Sequence, residues 1–337
     1  MKLLRYITRR LFIAIPQLVI ITVFVFFLMR LLPANPVAGI VGLDPTKAAI
    51  HQAQKSLGLA ASIPSQFVTF VKGIFEHGSL GNSWVTGTSI NGEIAKHFPI
   101  TLQLMFLGFL FALVIAIPLG VISALRPGGR LDRGIFVYGM FAGAAPDFWW
   151  GLLFILLFVF TAHIFPIPVG LLSPGTTPPT SITGFSLVDS LITGNFAAFR
   201  SLMEHYLLPS FTMAFVLTGP IVKMIRQNMI RFQRSEFILY AKAAGLAPRK
   251  IATYTLRNAI SPVLTLVGIL FGFELGGAVL IETVFSLNGL GQYAVERTLA
   301  LDYPAIQGVV LVMTAFSLFV YLVMDVLYSL IDPRISY

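Results

Sequence analysis

Charged residues divide the chain into long uncharged runs. Leu11–Met29 holds none, nor does the stretch between Lys96 and Arg126. Gly134 to about Phe165 is interrupted only by Asp147. The run between Glu204 and Lys223 is uncharged, Asn258–Ile281 is broken only by Glu274, and Asp302 to Asp325 encloses another. A helix crosses the hydrocarbon in about 20 residues, so the pattern predicts six spans. The runs are too long and continuous for barrel strands. Between them lie unequal connections. Residues 33–97 form a long segment with helical stretches near Thr46–Leu57 and Ser65–Phe75, then a turn, Gly78-Ser79-Leu80-Gly81-Asn82-Ser83. Residues 166–204 are rich in Pro, Thr, Ser and Gly.

Composition agrees. Of 337 residues, 56% are hydrophobic and 11% charged, against about 25% charged in an average soluble domain. This excludes a soluble enzyme, a disordered chain and a disulfide scaffold, and leaves an all-α integral membrane protein with lipid as its main solvent. The net charge of +9 points to inner loops facing anionic lipid rather than to nucleic acid. With the N-terminus inside, sixteen Lys and Arg residues lie on inner segments and seven on outer ones. That bias predicts a multi-pass inner-membrane protein with both termini cytoplasmic. Basic residues before the first run resemble a signal peptide, but no small-residue cleavage site follows. Leu32-Pro33-Ala34-Asn35-Pro36 reads as a turn leaving the membrane, so the first span is expected to be retained. The expected organisation is a first span over 1–32, an outer segment over 33–97, a five-span core over 98–332 with an inner loop at 229–258, and a tail at 333–337.

Two stripes of small residues recur every four positions. Gly108, Ala112, Ala116, Gly120 and Ala124 lie on the second span, and Gly268, Gly272 and Gly276 on the fifth. Such stripes let helix backbones approach where hydrophobicity cannot drive association. Pro118, Pro146 and Pro262 are expected at kinks or helix boundaries. Acids inside a membrane are costly and are functional candidates by default, so Asp147, Glu274 and Glu282 are candidates for lining a polar route. The plain alternative is a buried, hydrogen-bonded acid.

Catalytic patterns are absent. There is no Cys, no G-x-S-x-G and no H-E-x-x-H, and His51, His77, His97, His163 and His205 have no ligand spacing. Gly245 through Lys250 lacks the second Gly and the hydroxyl of a phosphate loop. The chain is therefore expected to be no enzyme and to hold no metal or cofactor. Uphill transport would draw on an ion gradient or a partner.

The inner segment 234–258 reads as a compact knob. Ser235 is placed as an N-cap, and Glu236 suits the positive helix end. Tyr240, Ala241 and Ala243 follow; the two alanines would allow close docking. Gly245 is placed for a left-handed helix end with Leu246 and Pro248 beyond it, and a second helix, Arg249 to Asn258, leads into the fifth span.

These residues carry a specific resemblance. Ala241-x-Ala243-x-Gly245-Leu246, then Leu256-Arg257-Asn258-Ala259 and Pro262, resemble the cytoplasmic loop of ABC-importer permeases of the dipeptide/oligopeptide/nickel branch. Gly276-Gly277-Ala278-Val279, Glu282-Thr283-Val284-Phe285-Ser286, Gly289-Leu290-Gly291, Asp302-Tyr303-Pro304, Gln307-Gly308 and Asp332-Pro333-Arg334 agree with it. So do Leu57-Gly58-Leu59, Gly78-x-Leu80-Gly81-x-Ser83 and Leu131-Asp132-Arg133. The chain differs in having Leu239-Tyr240-Ala241 where the broader family has Glu-Ala-Ala, Ser79 for Asp, and Ala34-Asn35 for Gly-Asp.

The resemblance implies a type I permease core that forms half of a pathway with a second, similar permease. Two cytoplasmic ATPases would hold ATP and Mg and receive the coupling helix at Glu236, Tyr240, Ala241, Ala243, Gly245 and Leu246, with Arg257, Asn258 and Pro262 supporting the loop-to-span joint. An extracytoplasmic binding protein would deliver di- or oligopeptides. Nickel chelates, glutathione-like compounds or oligosaccharides are alternatives within the class. A stand-alone ion-coupled secondary transporter and a membrane scaffold are alternatives outside it.

Overall fold

The computed structural model describes residues 2–31, 36, 37 and 46–331. The turn at 32–35, the Ala34-Asn35 difference, Asp332-Pro333-Arg334 and the tail at 333–337 lie outside the described residues. Helices dominate, and no strand occurs among the described residues beyond a single bridge between Asn82 and Ser89. The elements are α1 (Lys2–Leu31), α2 (Lys47–Ser56), α3 (Ile63–His77), α4 (Ile90–Leu125), α5 (Arg130–Ala142) and α6 (Asp147–Phe154), which continues as a wider turn over Ile155–Thr161. Then come α7 (Ser186–Ile192), α8 (Phe196–Gln233), α9 (Glu236–Ala243), α10 (Pro248–Val284), α11 (Leu290–Leu299) and α12 (Tyr303–Ile331).

Among the described residues, α1, α4, α8, α10 and α12 are each long and apolar enough to cross a membrane, and α5 with α6 makes a sixth, broken crossing. The third span was expected to kink or end at Pro146, but not to fold back as a pair. α5 and α6 meet at 100°. Pro146 is the reason: it disfavours helical geometry at the residue before it, and Gly143 to Ala145 take up the bend. Trp150 Nε1 reaches back across the break to Ala142 O at 3.0 Å, pairing a carbonyl that the broken helix leaves orphaned. Pro118 and Pro262, by contrast, lie inside continuous helices, so neither is a boundary. Within α8, which carries Pro209 and Pro220, Thr212 and Thr218 donate to Leu208 O and Ala214 O.

The core forms around α8, which packs along α4, α10, α5 and α6. Leu202, Tyr206, Met213, Leu217, Ile221, Ile225 and Met229 of α8 are all but fully buried. The small residues of α4 set the distance to it. A Cβ on Gly108 would collide with the Met213 side chain, and one on Gly120 would lie 2.8 Å from Ile225 Cβ. Ala112, Ala116 and Ala124 are fully buried. A crossing that the sequence reading missed brings α5 onto α8 at two glycines: a Cβ on Gly219 would sit 3.2 Å from Gly139 Cα. Neither glycine belongs to the stripes on the second and fifth spans.

The expected helices at Thr46–Leu57 and Ser65–Phe75 appear as α2 and α3. α3 docks on α1 through Phe67 and Phe70 around the buried Phe26. The helix placed at Arg249–Asn258 is not separate. α10 starts at Pro248, a proline suited to a first helical position, and runs unbroken through the fifth span. α7 and α11 were not foreseen.

Candidate functional site

Two ends of the bundle are tied differently. At the end carrying 126–130 and 234–248, Asp132 is 6% exposed and collects four donors. Ser123 Oγ donates to it, as do Gly128 N (2.7 Å) and both Nε and Nη2 of Arg226 (2.6 and 2.7 Å). This fork-on-carboxylate pair fastens the first turn to α8, and Gln233 Nε2 on Ala124 O (3.2 Å) fastens α8 to α4 beside it. Leu131-Asp132-Arg133 was the only trace of this lock in the sequence; the partner, Arg226, lies on another element.

The knob leaves this end. α9 begins after Ser235, whose hydroxyl donates backward to Phe232 O at 2.5 Å and so does not cap α9. The helix closes with Gly245 N on Lys242 O (3.0 Å) and Leu246 N on Ala241 O (3.1 Å). Gly245 has φ +76°, the left-handed geometry that ends helices. Ile238 (0%) and Ala241 (9%) face the rest of the chain, while Phe237, Leu239 and Tyr240 (77%) are exposed. Ala241 is therefore turned inward, so an outward docking role for it does not fit; Ala243 and Glu236 are exposed. Arg257 and Asn258 lie exposed on the first turns of α10, Asn258 bonding to Tyr254 O (2.8 Å). Pro262 is partly buried in the same helix.

At the opposite end, Glu282 is fully buried. Thr101 Oγ1 donates to its Oε1 at 2.5 Å and Gln292 N to its Oε2 at 3.0 Å, while Leu290 N donates to Thr101 Oγ1 at 2.9 Å. Both glycines of Gly289-Leu290-Gly291 lie against this carboxylate, and a Cβ on Gly291 would be 2.9 Å from Oε2. Glu282 is thus no pathway residue. Its carboxylate is spent on the backbone that returns the chain from α10 into α11, because a buried carboxylate needs nearby donors. Asp302, also fully buried, accepts from Ser83 Oγ (2.5 Å) and Trp84 N (3.0 Å), which anchors the 78–84 turn. Asn91 braces the same turn through Leu80 N and Gly78 O, both at 2.8 Å.

Asp147 and Glu274 are brought together. Asp147 opens α6 just after the break, and Glu274 projects from α10. A Cβ on Gly277 would lie 3.0 Å from Glu274 Oε2 and 3.1 Å from Asp147 Oδ2. Glu274 is 7% exposed, and its Oε2 is buried without an aligned hydrogen-bond donor. Gly268 and Gly272 approach α12, at Met324 (3.4 Å) and the Tyr321 hydroxyl. Gly276 corrects the stripe: nothing lies within 4 Å of a Cβ there, and it borders a cavity shared with α1, α11 and α12.

Among the described residues no group of three or more His, Cys, Asp or Glu could hold a metal. The site therefore has two parts, an exposed knob at one end and an acidic pair beside a broken crossing.

Comparison with known proteins gives this arrangement its family. Residues 116–337 match the model described as binding-protein-dependent transport system inner membrane component, and residues 3–105 match the N-terminal model of the same system. The probable D,D-dipeptide transport system permease protein of Escherichia coli strain K12 is 38% identical over 317 residues, 94% of this chain and 93% of that protein. The di/tripeptide transport system permease protein of Pseudomonas aeruginosa is 34% identical over 337 residues, 99% of each. The dipeptide transport system permease protein of E. coli K12 is 33% identical over 341 residues, again 99% of each. The chain belongs to the family of inner-membrane components of binding-protein-dependent transport systems.

Proposed function

We propose that the chain is one of two permease subunits of an ATP-driven importer and that its cargo is di- and oligopeptides. The cargo reading is supported by the peptide systems named for its relatives. The observation that carries the mechanism is α9: a short helix closed by a left-handed turn, with Phe237, Leu239 and Tyr240 exposed. Exposed apolar side chains on a rigid knob are a docking surface, and the chain has no phosphate loop of its own. Two ATPases in the cytoplasm would seat this knob and its counterpart on the second permease. The knob packs on α8 and α10. Closure of the ATPases would therefore move α8, around which the core forms, together with α10, and the pathway would alternate between two states biased by partner binding. The basic residues at this end fit the cytoplasmic face, and hence cytoplasmic termini. A binding protein would deliver peptide at the other end.

The test is uptake by the complete importer carrying Tyr240→Asp or Leu239→Asp. Both variants are expected to insert normally and to lose at least ~10-fold of uptake, equivalent to about 1.4 kcal/mol of docking. Unchanged uptake and unchanged ATPase stimulation would overturn the coupling role. Transport by the lone chain under a proton gradient would overturn the importer reading.

A further inference from the structure

Two carboxyl groups from helices 127 residues apart converge on one point above Gly277. Asp147 lies in the first turn of α6, where the positive helix end matches its charge. Glu274 has no such match, and its Oε2 is buried without a donor. An unmatched carboxyl oxygen in apolar surroundings is costly. Facing carboxyl groups there are held either by a shared proton or by a cation between them.

The surroundings decide which. Gly277 lets the pair lie directly on the α10 backbone, and any side chain there would fill the space. The pair can be reached from one side: Asp147 is only partly buried, although Glu274 is 7% exposed. A metal ion needs more oxygen ligands than two acids supply, and no third acid or histidine joins them among the described residues. An ammonium group has three donors and needs only a few acceptors.

We propose that Asp147 and Glu274 form a binding site for the α-ammonium group of the peptide as it passes, with Gly277 as the floor of the site. This rests on the peptide-importer reading, and deepens it by naming the part of the cargo that this chain grips.

The experiment uses the purified complete importer without its binding protein, so that delivery does not filter the probes. Alanyl-photoleucine and its N-acetyl derivative are added separately at equal millimolar concentration and irradiated, and adducts on this chain are mapped by mass spectrometry. The free-amine probe is expected to label residues flanking Asp147 and Gly277 at least ~10-fold more than the acetylated one. Glu274→Gln and Asp147→Asn are each expected to erase that preference. Equal labelling by the two probes in the wild-type complex would overturn the proposal and leave the pair holding only a proton. So would a preference that survives both variants, or a crosslink from the pair to a basic residue of the second permease. Uptake of alanyl-alanine by the wild-type importer with its binding protein added is measured in parallel. Its absence would defeat the peptide reading itself, whereas normal uptake with indifferent labelling would defeat only the ammonium site.

Discussion

Thr101 Oγ1 donates to Glu282 Oε1 at 2.5 Å while accepting from Leu290 N at 2.9 Å, so a single hydroxyl joins α4, α10 and the start of α11. This relay fixes the end of the bundle opposite the knob. Replacing the hydroxyl by a methyl leaves a buried carboxylate oxygen and a buried amide unpaired. Thr101→Val is expected to cost about 2–6 kcal/mol, roughly 1–3 kcal/mol for each of the two buried polar groups left without its partner. Thermal melting of the detergent-solubilised protein checks this; a midpoint within a degree of wild type would show the relay to be dispensable.

Two glycines on neighbouring stretches make a sharper comparison. A Cβ on Gly291 would lie 2.7 Å from Val279 Cα, which is backbone and cannot swing away, whereas a Cβ on Gly276 meets nothing within 4 Å. Gly291→Ala is expected to destabilise by about 1–3 kcal/mol through overpacking. Gly276→Ala is expected to be neutral or to gain up to about 1 kcal/mol from helix propensity. The two melting points, taken side by side, test whether α10 is closely approached at Val279 and open at Gly276.

Acid should loosen the 182–193 loop. Burial alone would push the Asp189 carboxyl up, but hydrogen bonds from Thr183 N, Thr183 Oγ1 and Gly184 N outweigh it and hold the carboxyl below the ordinary range. A carboxyl lowered on folding contributes stability that is complete above its unfolded value, near ~4, and is lost as pH falls through the folded value. Proteolysis of this loop is therefore expected to be flat from pH 7 to 5 and to rise below about pH 4. Asp189→Asn should remove the step, and a step of the same size in that variant would assign the effect to another group.

The chain's own pattern determined the solvent, the class of fold and the number of crossings. Those follow from run length and charge alone, since lipid admits only helices or closed barrels and penalises every unpaired charge. Local chemistry was also readable where it is truly local. Gly245 ends α9, and Pro146 marks a boundary. What the sequence left open was which polar groups meet. Asp147, Glu274 and Glu282 looked alike as acids in apolar runs, yet Glu282 is saturated by donors from α4 and α11, and Glu274 faces Asp147 with an oxygen unmatched. Arg226 on Asp132 and Gly139 on Gly219 were equally hidden, because their partners are far apart in the chain. The 100° turn between α5 and α6 has the same origin: proline allows a break, but Trp150 returning to Ala142 O and the packing of both halves on α8 select the angle. Periodicity and run length carry short-range energetics, which one strand of text can encode. The worth of a buried carboxyl depends on donors that only packing brings within 3 Å.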